Sequence, residues 1–335
     1  MTTIVSYNIL AGGYSIRKNA ARRTAQLVHI IRSANPDIVG VVEATHPLVQ
    51  QKPLVIEEIA ETLGMQLITG GPARHTGDYQ TALLTRLPIV HTQLHRHPCF
   101  NKPLLEVRVE QTNGQQLTVF VTHLSAAFNK GRGGGAIRQR EVREILRIMA
   151  PLRAQSIPHI LMGDFNSLAP GDRFRASSLV GYVTGLDREK RKRNLYDGHP
   201  HLNFVVPPKL RFINPILRII PRNQLLSTLF NSAASLYAPR GCIRLLREAG
   251  YVDSYRRVHP QALGFTCPAA APAGRIDFIF ASPEMAEHLE TCYVLTEGEG
   301  IPGNEASDHL AVAAEFGLAI PPAEPSVTFS NAMIS

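Results

Sequence analysis

The sequence predicts a globular α/β protein in which short buried strands alternate with amphipathic helices and one basic insertion interrupts them. Short β-branched runs alternate with 3.6-residue apolar periodicities along most of the chain. Hydrophobic residues make up 44% and charged residues 19%, a balance that buries a core and excludes a disordered chain. Between about residues 167 and 248 the alternation gives way to prolines and basic residues. A chain of 335 residues is accommodated equally by one large domain carrying an insertion or by two domains, and a single domain is the expectation. The expected domain spans 1–320, with the inserted cap at about 167–248, and 321–335 is expected to be a loose tail.

Thr3–Leu10 has the apolar and β-branched content of a buried strand, closed by Gly12-Gly13. Between Ala20 and Ala34, the residues Leu27, Ile30, Ile31 and Ala34 recur at helical spacing, and Asn35-Pro36 stops the helix. Ile38–Val42 is a buried strand that delivers Glu43 at its end. Leu54–Leu63 predicts a helix, Gln66–Thr69 and Thr81–Thr85 strands, and Leu87-Pro88 a stop. Leu104–Glu110 alternates Glu106, Arg108 and Glu110 against apolar neighbours, and Asn113-Gly114 joins it to Leu117–Thr122 as a hairpin. Arg138–Met149 is an amphipathic helix, and His159–Met162 a strand leading into Gly163-Asp164-Phe165-Asn166. After the insertion come Tyr251-Val252-Asp253-Ser254-Tyr255 and strands at Arg275–Ala281 and His309–Phe316. The glycines from Gly131 to Gly135 predict a surface loop, because they lack the spacing of a dinucleotide or P-loop fingerprint.

The N-terminal MTTIVSYNIL has no basic, apolar and cleavage-site sequence of a leader, and no later run is long and apolar enough to span a bilayer. Cys99, Cys242, Cys267 and Cys292 lie far apart, which suggests neither a zinc site nor a disulfide framework. A cytoplasmic location is the expectation. The net charge of +8 is concentrated: residues 172–260 hold 16 Lys/Arg against 6 Asp/Glu, leaving 19 against 21 elsewhere. A field of that kind attracts a polyanion or an anionic membrane surface.

Acidic and amide residues recur at the ends of the apolar strands: Asn8, Glu43, Asp164 with Asn166, Asp277 and Asp308. Their oxygens are hard ligands suited to Mg²⁺ or Mn²⁺, ions that share phosphate oxygens with a substrate. Singly, each fragment has an ordinary explanation. Gly-Asp-Phe-Asn makes a good turn, Glu43 a common strand end, Asp308-His309 a loop cap, and His123 a structural histidine. Asp277 within an apolar strand is a buried carboxylate in need of a partner. Tyr79, Asn101, Arg138 and Arg275 belong to looser motifs and are read as structural.

Taken in order, Ser6-Tyr7-Asn8, Val42-Glu43, Thr122-His123-Leu124, Gly163-Asp164-Phe165-Asn166, Arg275-Ile276-Asp277-Phe278 and Ser307-Asp308-His309 resemble the motif set of the endonuclease/exonuclease/phosphatase superfamily. The resemblance covers about residues 3 to 317 apart from the insertion. It implies a four-layer α/β sandwich, two packed mixed β-sheets flanked by helices as in DNase I, and water attack on a metal-bound phosphoester. It further implies that Glu43 is the principal ligand of Mg²⁺ or Mn²⁺, supported by Asn8 and Asp308. His309 is implied as the catalytic histidine, oriented by Asp277. Asp164 then orients or deprotonates the water, Asn166 donates to a phosphate oxygen, and His123 contacts the phosphate or protonates the leaving oxygen. The assignment of acid and base between the two histidines stays open. Thr-His-Leu resembles the branch of DNase I, sphingomyelinases and deadenylases more than the abasic-site endonucleases, where a tyrosine commonly stands.

The expected substrate is a phosphate ester, with a nucleic-acid phosphodiester placed first and a phospholipid or phosphoinositide second. A catalytically inactive binding protein of the same fold is the third reading, and the complete motif set argues against it. Arg188 to Arg193 would form a phosphate track. Arg211, Arg218 and Arg222 around Ile213, Ile216, Ile219 and Ile220, with Leu225, Leu226 and Phe230, would instead suit a membrane interface. Prolines at 207, 208, 215 and 221 interrupt a long helix there and weigh against the membrane. A solvated charge run beside a helical subdomain is the plainest alternative.

Overall fold

Two six-stranded sheets stack face to face in the computed structural model, which describes residues 1–14, 21–46, 52–71, 80–130, 132–193, 206 and 208–317. The strands are β1 Thr2–Asn8, β2 Ile38–Val42, β3 Gln66–Thr69, β4 Ala82–Thr85, β5 Ile89–His95, β6 Leu104–Glu110 and β7 Gln116–His123. They continue with β8 His159–Asp164, β9 Val252–Asp253, β10 Asp277–Ala281, β11 Leu289–Leu295, β12 Glu297–Gly298, β13 Ile301–Pro302 and β14 Ala311–Phe316. One sheet runs β11-β14-β1-β2-β4-β3 and the other β5-β6-β7-β8-β10-β9, while β12 and β13 form a separate ribbon. Both sheets are mixed. The β1–β2 and β7–β8 pairs are parallel and their neighbours antiparallel.

Strand alternation assigns each side chain to a layer. Ile4, Ile38 and Val42 of the first sheet meet Val119, Met162 and Ile279 of the second. On the first sheet's outer face, Val5, Tyr7, Val39 and Val41 pack against Leu27 and Ile30 of the Thr24–Ser33 helix and Ile56 and Ile59 of the Val55–Leu63 helix. On the second sheet's outer face, Phe120, Leu161 and Phe280 pack against Val142, Ile145 and Met149 of the Arg132–Ala154 helix and Ile243 of the Gly241–Glu248 helix. The layers are helices, sheet, sheet, helices, the four-layer sandwich that the resemblance implies.

In the two main sheets two strands escape the sequence pattern, and both are edge strands; the short β12–β13 ribbon escapes it as well. β5 turns His91, Thr92 and Gln93 to solvent, and β11 carries Glu290 and Thr291 among its apolar residues. An edge exposed to water has no need of a clean apolar face. The predicted glycine loop is another difference: the helix begins at Arg132, so Gly133 to Gly135 are helical. A Cβ on Gly134 would lie 2.1 Å from the Ala127 carbonyl oxygen, so close backbone approach explains that glycine. Gly131 lies outside the described residues, as does the 321–335 segment.

The described residues of the expected insertion are largely helical, with Ala176–Arg193, Gln224–Tyr237 and Gly241–Glu248 as the main helices. Val180, Val183, Val206, Leu217 and Ile220 form a small core of their own. The side chains from residue 189 to 205, most of the predicted phosphate track, lie outside the described residues. Its two ends are joined by buried ions. Arg275 donates to Asp253 at 2.6 and 2.7 Å and to Asp172 at 3.0 Å, and Arg256 donates to Asp172 at 2.8 Å. This network gives Arg275 a structural role. Among the described residues no helix is long and apolar enough to cross a membrane.

Candidate active site

The alternation that fills the core also aims the polar residues. Counting by twos from Ile4, Val121, Met162 and Ile279 reaches Asn8, His123, Asp164 and Asp277 on the inter-sheet side. Strand register completes the row: His123 pairs with Asp164 in β7–β8, and Asp164 with Asp277 in β8–β10. Gly163 permits this approach. With φ of 139°, its missing Cβ would lie 1.8 Å from the Thr122 carbonyl oxygen. Glu43, one residue beyond β2, and Asn166, two beyond β8, adopt left-handed φ of 55° and 49°. Conformations of that kind are costly for non-glycine residues and cluster at functional sites.

All eight predicted residues lie at this end of the sandwich. The Asn8 amide nitrogen is its centre, 3.2 Å from Asp164 Oδ2, 3.5 Å from Glu43 Oε1 and 3.5 Å from His309 Nε2. Backbone N–H groups hold three of the oxygens. Leu10 donates to Asn8 Oδ1 at 3.0 Å, Ala11 to Glu43 Oε2 at 3.0 Å, and Asn166 to Asp164 Oδ1 at 2.8 Å. His309 Nδ1 faces Asp277 at 2.9 and 3.1 Å, which leaves Nε2 turned to the centre, 4.0 Å from Asp164 and from Asp308. His123 Nε2 is 3.5 Å from Asp164 Oδ2. The Asn166 side chain donates to the Leu124 carbonyl at 2.9 Å, so one of its two amide protons is already engaged.

Burial and charge make these groups unequal. Burial, with Asp277 alongside, pushes the Asp164 carboxyl up to about 7. Burial works against a proton on His309, but Asp277, Cys267 and Asp308 outweigh it and hold that imidazole well above its usual range. His123 moves the other way, lowered by burial and then by Lys102 and His309. The surroundings thus favour a proton on His309 and disfavour one on His123. The opposite shifts distinguish two rings that the sequence leaves equivalent.

A hard divalent cation fits this set. Carboxylate oxygens of half-buried Glu43 and buried Asp164 converge on the Asn8 amide, and burial together with Asp277 raises Asp164, so added positive charge there relieves the cost. Asp164, Asp277 and His309 also bring three donor atoms within 4.8 Å of one another. Within that triple, Asp277 is engaged by His309 Nδ1. Glu43, with the Asn8 side chain 3.5 Å away, stands outside that triple and has no imidazole partner among the described residues.

Sequence reasoning missed Lys102, in the turn between β5 and β6. Its side chain is buried, and its charge interacts with Glu43, Asp164 and Glu141. Lysine in a turn is normally solvated, so no sequence signal marks it. A buried ammonium beside the carboxylates is placed to meet a phosphate oxygen. Lys102→Met, similar in length and uncharged, is expected to lower kcat/KM for phosphoester hydrolysis roughly 100-fold, with an unchanged thermal melt. Wild-type steady-state kinetics in a folded Lys102→Met protein would remove the residue from the site. Of the loosely placed residues, Arg138 donates to the Ser125 carbonyl at 2.9 Å, Asn101 donates its backbone N–H to Glu141, and Tyr79 lies outside the described residues.

The profile of the Endonuclease/Exonuclease/phosphatase family matches residues 5–309. No curated protein matches the sequence. An AP endonuclease from Archaeoglobus fulgidus has a similar structure, with a TM-score of 0.57 and 17% identity over 95% of this chain and 100% of that one. The 3' phosphatase NExo from Neisseria, bound to a product DNA hairpin, gives 0.56 and 17% identity with the same coverage. TDP2 from Caenorhabditis elegans gives 0.54 and 15% identity over 94% of this chain and 74% of that one. At these identities the likeness establishes the fold.

Proposed function

From the premise that this chain belongs to the endonuclease/exonuclease/phosphatase family and is a metal-dependent phosphoester hydrolase, we propose that it cleaves phosphodiesters by directed attack of water. The observation that carries this reading is the His309–Asp277 pair facing Asn8, Asp164 and Glu43 at one buried end of the sandwich. Mg²⁺ or Mn²⁺, held by Glu43 with Asn8 and Asp308, supplies positive charge to the phosphate oxygens when bound. Asp277 fixes the orientation of His309, so that Nε2 presents its proton to the centre, where a charged phosphate oxygen or leaving oxygen lies. Asp164 Oδ2 accepts the proton of the attacking water. His123 Nε2 and the second amide proton of Asn166 contact the phosphate from the side of the second sheet.

The bearer of the diester is the finer question. The basic segment and the DNA hairpin bound by the Neisseria phosphatase support nucleic acid. Apolar side chains exposed in that same segment favour a lipid. Bis(p-nitrophenyl) phosphate belongs to neither class and reads the chemistry alone. It is expected to release p-nitrophenolate with Mg²⁺ or Mn²⁺ and to stop with EDTA. Turnover that survives EDTA, or that is confined to the monoester p-nitrophenyl phosphate, would overturn the proposal.

A further inference from the structure

The helix Gln224–Tyr237 is amphipathic in the inverted sense. Its inward side carries Ser227, Phe230, Asn231, Ala234 and Ser235, and the polar members are tied to the body of the protein. Ser227 donates to the Ile220 carbonyl at 2.9 Å, and Asn231 accepts from the Ser177 N–H at 2.8 Å. Its outward side carries Leu225, Leu229 and Leu236, which are 69%, 60% and 91% exposed. Steps of four and seven residues place these three leucines on one stripe. Phe212, Ile216 and Ile219, from the short turns just before the helix, are exposed as well. Water is a poor partner for such a surface.

The charge around it selects the occupant. Lys209, Arg211, Arg218 and Arg222 are exposed, and residues 198–247 contain no Asp or Glu. A second copy of the chain would bring an equally basic face against this one. Nucleic acid would meet the cations but leave the leucines and isoleucines without a partner. An anionic bilayer satisfies both, taking the apolar stripe among its acyl chains and the cations among its headgroups. Of the prolines that argue against a membrane in the sequence, those at 208, 215 and 221 stand in the short segments before the helix, and Pro207 lies outside the described residues. Pro215 and Pro221 each stand in the first turn of a short helical segment.

We propose that residues 208–237 form an interfacial element that docks the enzyme on anionic membranes. The element is fixed to the catalytic end of the sandwich. The Pro239 carbonyl, two residues past the helix, accepts from Ser167 Oγ at 2.8 Å, and Ser167 follows Asn166. Arg240 adds a hydrogen bond to the Ala169 carbonyl. Docking therefore presents the active site to phosphodiesters in lipid headgroups, a substrate class that rests on the hydrolytic reading above. Docking itself does not.

The test is co-sedimentation of the full chain with vesicles of phosphatidylcholine alone and of phosphatidylcholine with phosphatidylserine. Wild type is expected to bind the anionic vesicles at least tenfold better, and less well as salt rises. Leu225→Ser/Leu229→Ser/Leu236→Ser is expected to lose at least tenfold of that binding while hydrolysing bis(p-nitrophenyl) phosphate at the wild-type rate. Arg218→Glu/Arg222→Glu, which leaves the leucines in place, is expected to lose the preference for phosphatidylserine. Absence of wild-type binding, or undiminished binding by both variants, would overturn the proposal. So would a wild-type dimer that the leucine variant converts to a monomer, because a second copy would then cover the face. Loss of diester hydrolysis with vesicle binding intact would defeat the enzymatic reading and leave the docking surface standing.

Discussion

Replacing His309 by glutamine is expected to lower kcat for phosphodiester hydrolysis roughly 1000-fold, within the range spanned by general acid–base groups. Glutamine retains an N–H donor for Asp277 but has no titratable proton, so the change isolates the chemistry of Nε2 from the packing around it. Alanine is the harsher test. It leaves the Asp277 carboxylate buried without its 2.9 Å partner, a loss that costs about 3–5 kcal/mol when a buried pair is broken from one side. Asp277→Asn should give a similar fall in kcat, because the amide no longer holds the ring by charge. Single-turnover rates of the purified variants, with circular dichroism to establish folding, read both. Near-wild-type turnover in a folded His309→Gln protein would refute the assignment of His309.

Glu43→Gln is expected to raise the Mg²⁺ concentration for half-maximal rate by at least about 100-fold, beyond the 10–100-fold typical of groups one step removed from a metal. The amide keeps the volume of the carboxylate and the hydrogen bond from Ala11, which reaches Oε2 at 3.0 Å. What it loses is the charge. Rate measured against Mg²⁺ concentration, together with direct Mn²⁺ titration by calorimetry, gives the affinity without depending on turnover alone. The same titration on Asp277→Asn separates the two ways of placing a cation. An ion held by Glu43 is little affected by that change, whereas an ion among Asp164, Asp277 and His309 loses a ligand. Unaltered Mn²⁺ affinity in Glu43→Gln would move the metal away from Glu43.

The candidate site was legible because its residues stand at strand ends beside short motifs, and strands reveal themselves by buried runs. Asp277 illustrates the logic, since a carboxylate inside Asp277–Ala281 requires a partner, and His309 meets it. Lys102 was illegible for the opposite reason: nothing local distinguishes a turn lysine that is solvated from one that the fold turns inward. β5 and β11 were hidden because edge strands tolerate polar residues on both faces. The Gln224–Tyr237 helix showed its leucines in the sequence but not their direction. A period of 3.6 identifies an apolar stripe, while only the packing of Phe230 on the Val180–Ile220 core and the bond of Asn231 to Ser177 show that the stripe faces outward.

By itself the sequence determined most of the alternation of strands and helices and marked the eight polar residues that the fold gathers at one end. Each is written in local patterning: period two or 3.6, a turn residue, a motif beside a strand. Tertiary structure alone decided what depends on distant segments meeting. It set the row His123, Asp164 and Asp277 across three strands, pushed the two imidazoles in opposite directions, buried Lys102 beside the carboxylates, and left a stripe of leucines in water. Register, electrostatics and exposure are sums over neighbours brought together from across the chain, and a one-dimensional pattern does not contain them.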